Sequence, residues 1–212
     1  MQQKLLENAI ERVIGKQAVN ILKILENKKN VNEFLITKKL NLTINQVRNI
    51  LYNLSNHRIV SFTRKKDNKK GWYTYYWTLD KKRCLEFLKK ELEKEKNELI
   101  NKLKSRETKR FYFCKTCVID ISEENALFNN FTCPECGNIY ELKDNSFLIN
   151  ELKSLIEKKE KQIKNVEEEI KDLSLKEEKN KKRREAILKE KKRKDRLKNK
   201  KKIIKKSFKK KK

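Results

Sequence analysis

The chain has 212 residues, of which 41% are charged and only 36% hydrophobic, which excludes one large core and leaves modest folded modules joined to exposed helices or tails. Its formal net charge of +27 favours a polyanionic partner, most simply nucleic acid or a nucleic-acid-bound complex, although any single lysine in such a run is as readily a solvated face. No apolar run reaches the length of a membrane span, and the first fifteen residues mix charge into their apolar positions and hold no signal-peptide core. A soluble, intracellular protein without a membrane partner is expected.

Charge divides the chain into three zones: residues 1–110 sum to +15, 111–147 to −4 and 148–212 to +16. In the first zone Ala18, Val19, Ile21, Leu22, Ile24 and Leu25 recur at helical spacing, and the polar stretch Glu26 to Asn30 ends that helix. A second helix is predicted near Val31–Leu40, with Val31, Phe34, Leu35 and Leu40 as its apolar positions. Thr43 is an N-cap for a third helix over Ile44–Asn56, Gln46 completes a capping box, and Val47, Ile50, Leu51 and Leu54 form the core face. The period then becomes extended. Residues 59–63 and 72–79 read as a hairpin joined by the basic turn from Lys65 to Gly71. Three helices followed by a hairpin is the layout of a winged helix-turn-helix.

A fourth helix is predicted from Asp80 to near Arg106, with Leu85, Leu88, Leu92, Leu99 and Leu103 close to a heptad seam and Cys84 as a buried small hydrophobe. Beyond the middle zone, Leu152, Ile156, Ile163, Val166, Ile170 and Leu173 continue as another heptad-like helix, able to pair antiparallel with the fourth or to pack alone on a partner. From about Lys176 the pattern dissolves into Lys and Arg, which predicts a frayed helix or a disordered tail. The predicted fold class is α+β. Its domains are a winged helix-turn-helix (1–80), a linker helix (81–109), a small β zinc ribbon (110–146), a C-terminal charged helix (147–175) and a polybasic tail (176–212).

Four of the five cysteines carry chemistry. Cys114, Cys117, Cys133 and Cys136 are spaced C-x2-C, fifteen residues, C-x2-C, which points to metal in a reducing compartment rather than to disulfides. Each pair offers two sulfurs from one tight turn, and two such knuckles close a four-thiolate site with no position left for substrate, so one structural zinc ion is expected. Iron is the chemical alternative for the same donors. Gly137 follows the last Cys, where a knuckle favours positive φ. Phe111, Phe113, Phe131 and Tyr140 are expected to form strands that cover the metal.

On the second hairpin strand, Tyr73, Tyr75, Trp77 and Leu79 alternate with Trp72, Thr74, Tyr76 and Thr78, so one face packs on the helices and the other leaves Trp72 and Tyr76 beside the basic turn. Arg48 on the third helix and Arg64, Lys65, Lys66, Lys69 and Lys70 on the wing are candidate nucleic-acid contacts, as are the polar side chains Asn45, Gln46, Asn49 and Asn53. The third helix carries little positive charge for a major-groove reader. His57 stands far from the Cys pairs and receives no role. No Gly-rich phosphate loop, Ser-His-Asp set or paired-carboxylate signature occurs, so an enzyme is not expected.

An aromatic wing strand over Gly71–Trp77, a leucine-rich linker helix and the four-Cys ribbon together resemble the archaeal transcription factor E family, counterpart of the alpha subunit of the eukaryotic general factor TFIIE, over roughly residues 10–145. The resemblance implies a basal transcription initiation factor in the cytoplasm, at the nucleoid. Such a factor joins the pre-initiation complex with the TATA-binding protein and factor B, binds the clamp and stalk region of RNA polymerase, touches promoter DNA largely without sequence preference and favours DNA melting. It also implies that Trp72, Tyr73 and Tyr76 sit on a wing facing polymerase, that the ribbon is a second docking point, and that a second TFIIE-like subunit is a potential partner. The polybasic tail departs from the family's pattern. Two other readings stay open: a sequence-specific winged-helix regulator, and an RNA-binding or ribosome-associated scaffold.

Overall fold

The computed structural model describes residues 2–66 and 71–209, excepting the side chains of Gln2, Asp195 and residues 197–209. It divides into two units, residues 1–167 and 168–212. The fold is α+β, as predicted, with a winged-helix layout, a small ribbon and long charged helices.

The first unit opens with a helix the sequence reading did not anticipate, α1 (Gln2–Val13). Its signal was present: Leu5, Leu6, Ala9, Ile10 and Val13 share one helical face, and Ala9 and Ile10 are buried. Gly15, at φ 115, breaks the chain between α1 and α2 (Lys16–Leu25), whose buried residues include Val19, Ile21, Leu22 and Leu25. The next segment departs from expectation. Val31–Asn32 form a short strand, β1, and α3 (Glu33–Leu40) begins only after it, capped by Asn32 Oδ1, which accepts from the Phe34 N–H at 3.0 Å. That cap sets the helical phase. Glu33 and Ile36 are fully buried, while Phe34 and Leu35, expected on the core side, are 52% and 55% exposed.

The third predicted helix is α4 (Ile44–Asn56), with the Thr43–Gln46 capping box formed and Val47, Leu51 and Leu54 buried; Ile50 is half-buried. β2 (Val60–Lys66) and β3 (Tyr73–Leu79) pair antiparallel from Val60 opposite Leu79 to Lys66 opposite Tyr73. β1 adds to the other edge of β3, with Val31 opposite Trp77, giving sheet order β1-β3-β2. Trp77 is fully buried between Phe62, 5.2 Å away centroid to centroid, and Tyr52 of α4 at 6.0 Å. Burying an aromatic of this size at the joint of sheet and helices contributes about 3 kcal/mol.

Helix α5 (Lys81–Thr108) starts at Asp80, whose side chain accepts from the Arg83 N–H at 3.1 Å. It buries Cys84, Leu85, Phe87, Leu88 and Leu92. Burial, with Asp80 nearby, pushes the Cys84 thiol up to about 12, so it behaves as the inert small hydrophobe expected of it. The ribbon follows: β4 (Phe111–Cys114), β5 (Ile119–Ser122), a short α6 (Glu123–Phe128) and β6 (Glu141–Leu142), in the order β5-β4-β6.

The last element, α7 (Ser146–Lys209), lies antiparallel to α5 over the first unit. Ion pairs fix the direction: Lys153 to Glu107 at 3.1 Å, Glu160 to Lys96 at 3.8 Å and Glu167 to Lys89 at 2.7 Å, with numbers rising on one helix as they fall on the other. Leu152, Ile163 and Val166 are buried along the same stretch. Glu95 of α5 pairs with both Lys159 and Arg12, so one carboxylate ties α1, α5 and α7 together. In the second unit the helix persists to Lys209, where a frayed or disordered tail was predicted. Lys, Arg and Glu are good helix formers, no Gly or Pro occurs after Gly137, and Glu178–Lys182 and Glu190–Lys194 pair at i, i+4.

The buried Glu33 carboxylate is compensated by a fork from Arg48, with Nε donating at 3.0 Å and Nη2 at 2.7 Å. Arg48→Met should therefore destabilise the chain by about 3 kcal/mol, because it strands a buried charge. The double variant Glu33→Met/Arg48→Met should recover most of the loss in urea unfolding. Equal losses in the single and double variants would contradict this assignment.

Candidate metal centre and wing surface

Each Cys pair sits on its own tight turn. Cys114 ends β4, and the Val118 N–H, just past Cys117, donates back to the Cys114 carbonyl at 2.9 Å. The second turn repeats this, with the Gly137 N–H donating to the Cys133 carbonyl at 2.8 Å. The residue after the second Cys is left-handed in both, Val118 at φ 55 and Gly137 at φ 73. The positive φ expected at Gly137 is there, and its counterpart in the first knuckle is a β-branched residue in a conformation that costs such residues most.

The two turns bring the four Sγ atoms within 4.8 Å of one another. No pair is bonded, and Cys114 and Cys136 stand 3.4 Å apart. A tetrahedral ion with bonds of about 2.3 Å requires sulfurs roughly 3.8 Å apart, so the set fits a metal ion of zinc size. Four thiolates at this spacing repel one another. Burial raises Cys133, but backbone N–H groups of Glu135 and Cys136 outweigh it and bring the thiol down to about 6. Cys117 is pushed up to about 12, chiefly by its bond with Cys136. Cys136 is raised too: the lowering effect of the Asn138 N–H is overcome by burial and by Cys114 and Cys133. One sulfur carries charge easily and its neighbours resist, the pattern expected of groups gathered for a cation.

The lining differs from expectation: of the four residues expected there only Tyr140 packs on the cluster, and neither it nor Phe131 lies in a strand. Tyr140 is buried against the cluster, as expected, and Phe131 meets Tyr112 edge-on at 4.9 Å. The wall from β4, however, is Tyr112, joined by Ile121, not Phe111 or Phe113. Strand alternation from Cys114 puts Tyr112 on the metal side and its neighbours on the other. There the guanidinium of Arg106 lies 3.7 Å from the Phe111 ring centroid and the ammonium of Lys143 5.2 Å from that of Phe113. Alternation alone could have identified Tyr112.

At the wing, Trp72 is 74% exposed and Tyr73 45%, whereas Tyr76 is half-buried under the ammonium of Lys65, 5.3 Å from its ring centroid. Arg64 lies over Tyr73 at 5.0 Å. Register puts Phe62, Arg64, Lys66, Tyr73 and Tyr75 on one face and Thr63, Lys65, Thr74 and Tyr76 on the other, so the three wing aromatics do not share a surface. Lys66 is exposed at the end of β2; Lys69 and Lys70 lie outside the described residues. Arg48 is committed elsewhere. Its guanidinium neutralises Glu33 and stands 5.7 Å from the Tyr75 ring, and the Glu33 bond raises its pKa further. The sequence reading missed Glu33, and with it the loss of the main charge on α4. Gln46 is held in its capping box, which leaves Asn45, Asn49 and Asn53 as the exposed polar candidates still free of that role.

The knuckle geometry makes a paired prediction for the metal-loaded chain. Gly137→Val should cost about 1–2 kcal/mol from backbone strain alone, since a Cβ there meets no neighbour within 4 Å. Val118→Gly should leave thermal stability unchanged or raised, despite the greater freedom of glycine in the unfolded chain. A clear loss at Val118→Gly would contradict the equivalence of the two turns.

A profile of the family described as TFIIE alpha subunit matches residues 4–109. Transcription factor E of Methanococcus maripaludis is 33% identical over 156 residues, spanning 74% of this chain and 87% of that protein. Its namesake in Metallosphaera sedula is 33% identical over 172 residues (79% and 92%), and that of Pyrococcus abyssi 35% over 147 residues (69% and 77%). Among solved structures, a chain described as a possible transcriptional regulator from Methanosarcina mazei is 19% identical at a TM-score of 0.42, covering 47% of this chain and 86% of that one. On its match across half its length and its identity to nearly full-length relatives, the chain belongs to the TFIIE alpha family.

Proposed function

We propose that this chain is a basal transcription initiation factor that binds RNA polymerase in the pre-initiation complex and stabilises the opened promoter. Family membership supports a place in transcription initiation. The observations that carry the finer reading are the exposure of the wing aromatics Trp72 and Tyr73 and the commitment of the α4 arginine to Glu33. A sequence-specific duplex reader needs cations and free forks on that helix; a protein-docking factor needs exposed aromatic anchors. Polymerase, at its clamp and stalk, is the proposed partner of the wing, with the TATA-binding protein and factor B completing the assembly. A second TFIIE-like subunit is compatible with the same surfaces. The reading places the factor in the cytoplasm, at the nucleoid. Among the described residues no helix is long and apolar enough to cross a membrane.

The factor acts without catalysis. Binding the open complex more tightly than the closed one shifts the equilibrium by the difference in affinity, and no proton or phosphoryl transfer is involved. The metal is zinc, held by Cys114, Cys117, Cys133 and Cys136, and its contribution is structural: a closed four-thiolate site fixes the ribbon's two turns. The winged helix, the linker helix and the ribbon serve as separate modules, the ribbon being a second docking point.

Retention of zinc-loaded protein on purified cognate RNA polymerase, without DNA and at moderately high salt, tests this reading. Trp72→Ala and Tyr73→Ala should each weaken retention by about tenfold or more, and half-buried Tyr76→Ala by less. Unchanged retention in the first two variants, or a salt-resistant footprint on one DNA sequence, would favour the regulator instead. Elemental analysis should find one zinc per chain, lost in Cys133→Ser; iron in its place would overturn the metal assignment.

A further inference from the structure

The second unit carries a charge that neither the metal centre nor the wing uses. Residues 176–212 hold twenty-two Lys and Arg against five Asp and Glu. The backbone is helical to Lys209, so the 34 residues from Lys176 form a rod about 51 Å long at 1.5 Å per residue. Every residue from Lys176 to Lys194 is exposed, including Ile187 at 66% and Leu188 at 56%.

The arrangement of the charge narrows its partner. At 100° per residue, the basic residues between Lys176 and Lys194 leave no sector of the helix wider than roughly 60° without a cation. A helix that lies on a membrane or pairs in a coiled coil needs one apolar stripe, and Ile187 and Leu188, adjacent in sequence, begin none. Lys182 and Lys194 pair with Glu178 and Glu190, but five acids cannot match twenty-two cations over this stretch. A rod cationic around its whole circumference is best satisfied where anions stand on more than one side of it. The major groove of B-form DNA is wide enough to admit an α-helix and is walled by phosphates on both sides, whereas the A-form major groove of RNA is deep and too narrow.

We propose that residues 176–209 are a helical arm that binds duplex DNA through its phosphates, without sequence preference. The arm gives the factor its own hold on DNA, independent of any polymerase contact.

The test is binding of a 30-base-pair DNA duplex to the full chain and to a chain ending at Leu175, measured by fluorescence anisotropy over a range of KCl, with no polymerase present. For the full chain, log affinity should fall steeply with log salt, by about 0.9 per phosphate neutralised. Truncation should remove at least half of that slope and lower affinity by about a hundredfold near 100 mM salt. Replacing Lys181, Lys182, Arg183 and Arg184 with Gln in the full chain should flatten the slope part-way while circular dichroism shows the helix retained. An unchanged slope after truncation would overturn the proposal, as would tenfold tighter binding to an RNA duplex of the same sequence under the same salt. Because polymerase is absent, failure here is separable from failure of the docking reading.

Discussion

Four sulfurs that cannot all be charged on their own are held within 4.8 Å of one another, and the ribbon is organised around that constraint. Its buried residues are Cys114, Ala126, Cys133 and Tyr140, so the ligands are themselves much of the core. Around them Val118, Phe128, Ile139 and Leu142 are exposed, and the strands are two to four residues long. So little apolar burial does not offset the entropy of ordering such a segment, whereas metal binding of this kind is worth on the order of 10 kcal/mol. A divalent ion also removes the conflict among the thiols, since coordination keeps all four deprotonated at once. The ribbon thus presents, at the centre of its small core, four sulfurs that could hold an ion.

The winged module solves a different problem. It has an ordinary core, with Trp77, Leu51, Leu54, Ile36 and Ile59 fully buried, and its exceptional feature is a carboxylate inside. Compensating Glu33 uses the arginine that a DNA-reading helix would put into a groove. The same choice moves the surface chemistry of the module out to the hairpin, where Arg64 and Lys65 lie over Tyr73 and Tyr76 and Trp72 stands clear. Charge links core and surface here: the one cation of α4 is committed to the buried Glu33.

Much of this was legible in the sequence, for reasons that differ by element. The α4 boundaries follow from Thr43 and Gln46, because a capping box is a local interaction that tertiary context seldom overrides. The gathering of Cys114, Cys117, Cys133 and Cys136 follows from spacing, since two residues between thiols leave the turn few alternatives. The antiparallel run of α5 and α7 was one of two readings of the leucine seams; long-range ion pairs decided it. The phase of α3 was misread because β1 takes Val31 and Asn32 into the sheet, and pairing with Trp77, 46 residues away, leaves no local trace. Glu33 was invisible for the same reason: a buried acid is recognisable only once its partner is placed. The tail is helical although its net charge predicts fraying, because Lys, Arg and Glu favour helix when nothing interrupts them.

The proposed zinc implies that bound metal, not apolar packing, holds residues 111–142 in their fold. Amide hydrogen exchange of the full chain before and after chelation tests this most directly. Protection at Tyr112, Val118, Cys133, Gly137 and Tyr140 should collapse on metal removal, while protection in α4 and β3 should stay unchanged. Protection of the ribbon amides that survives chelation would contradict it.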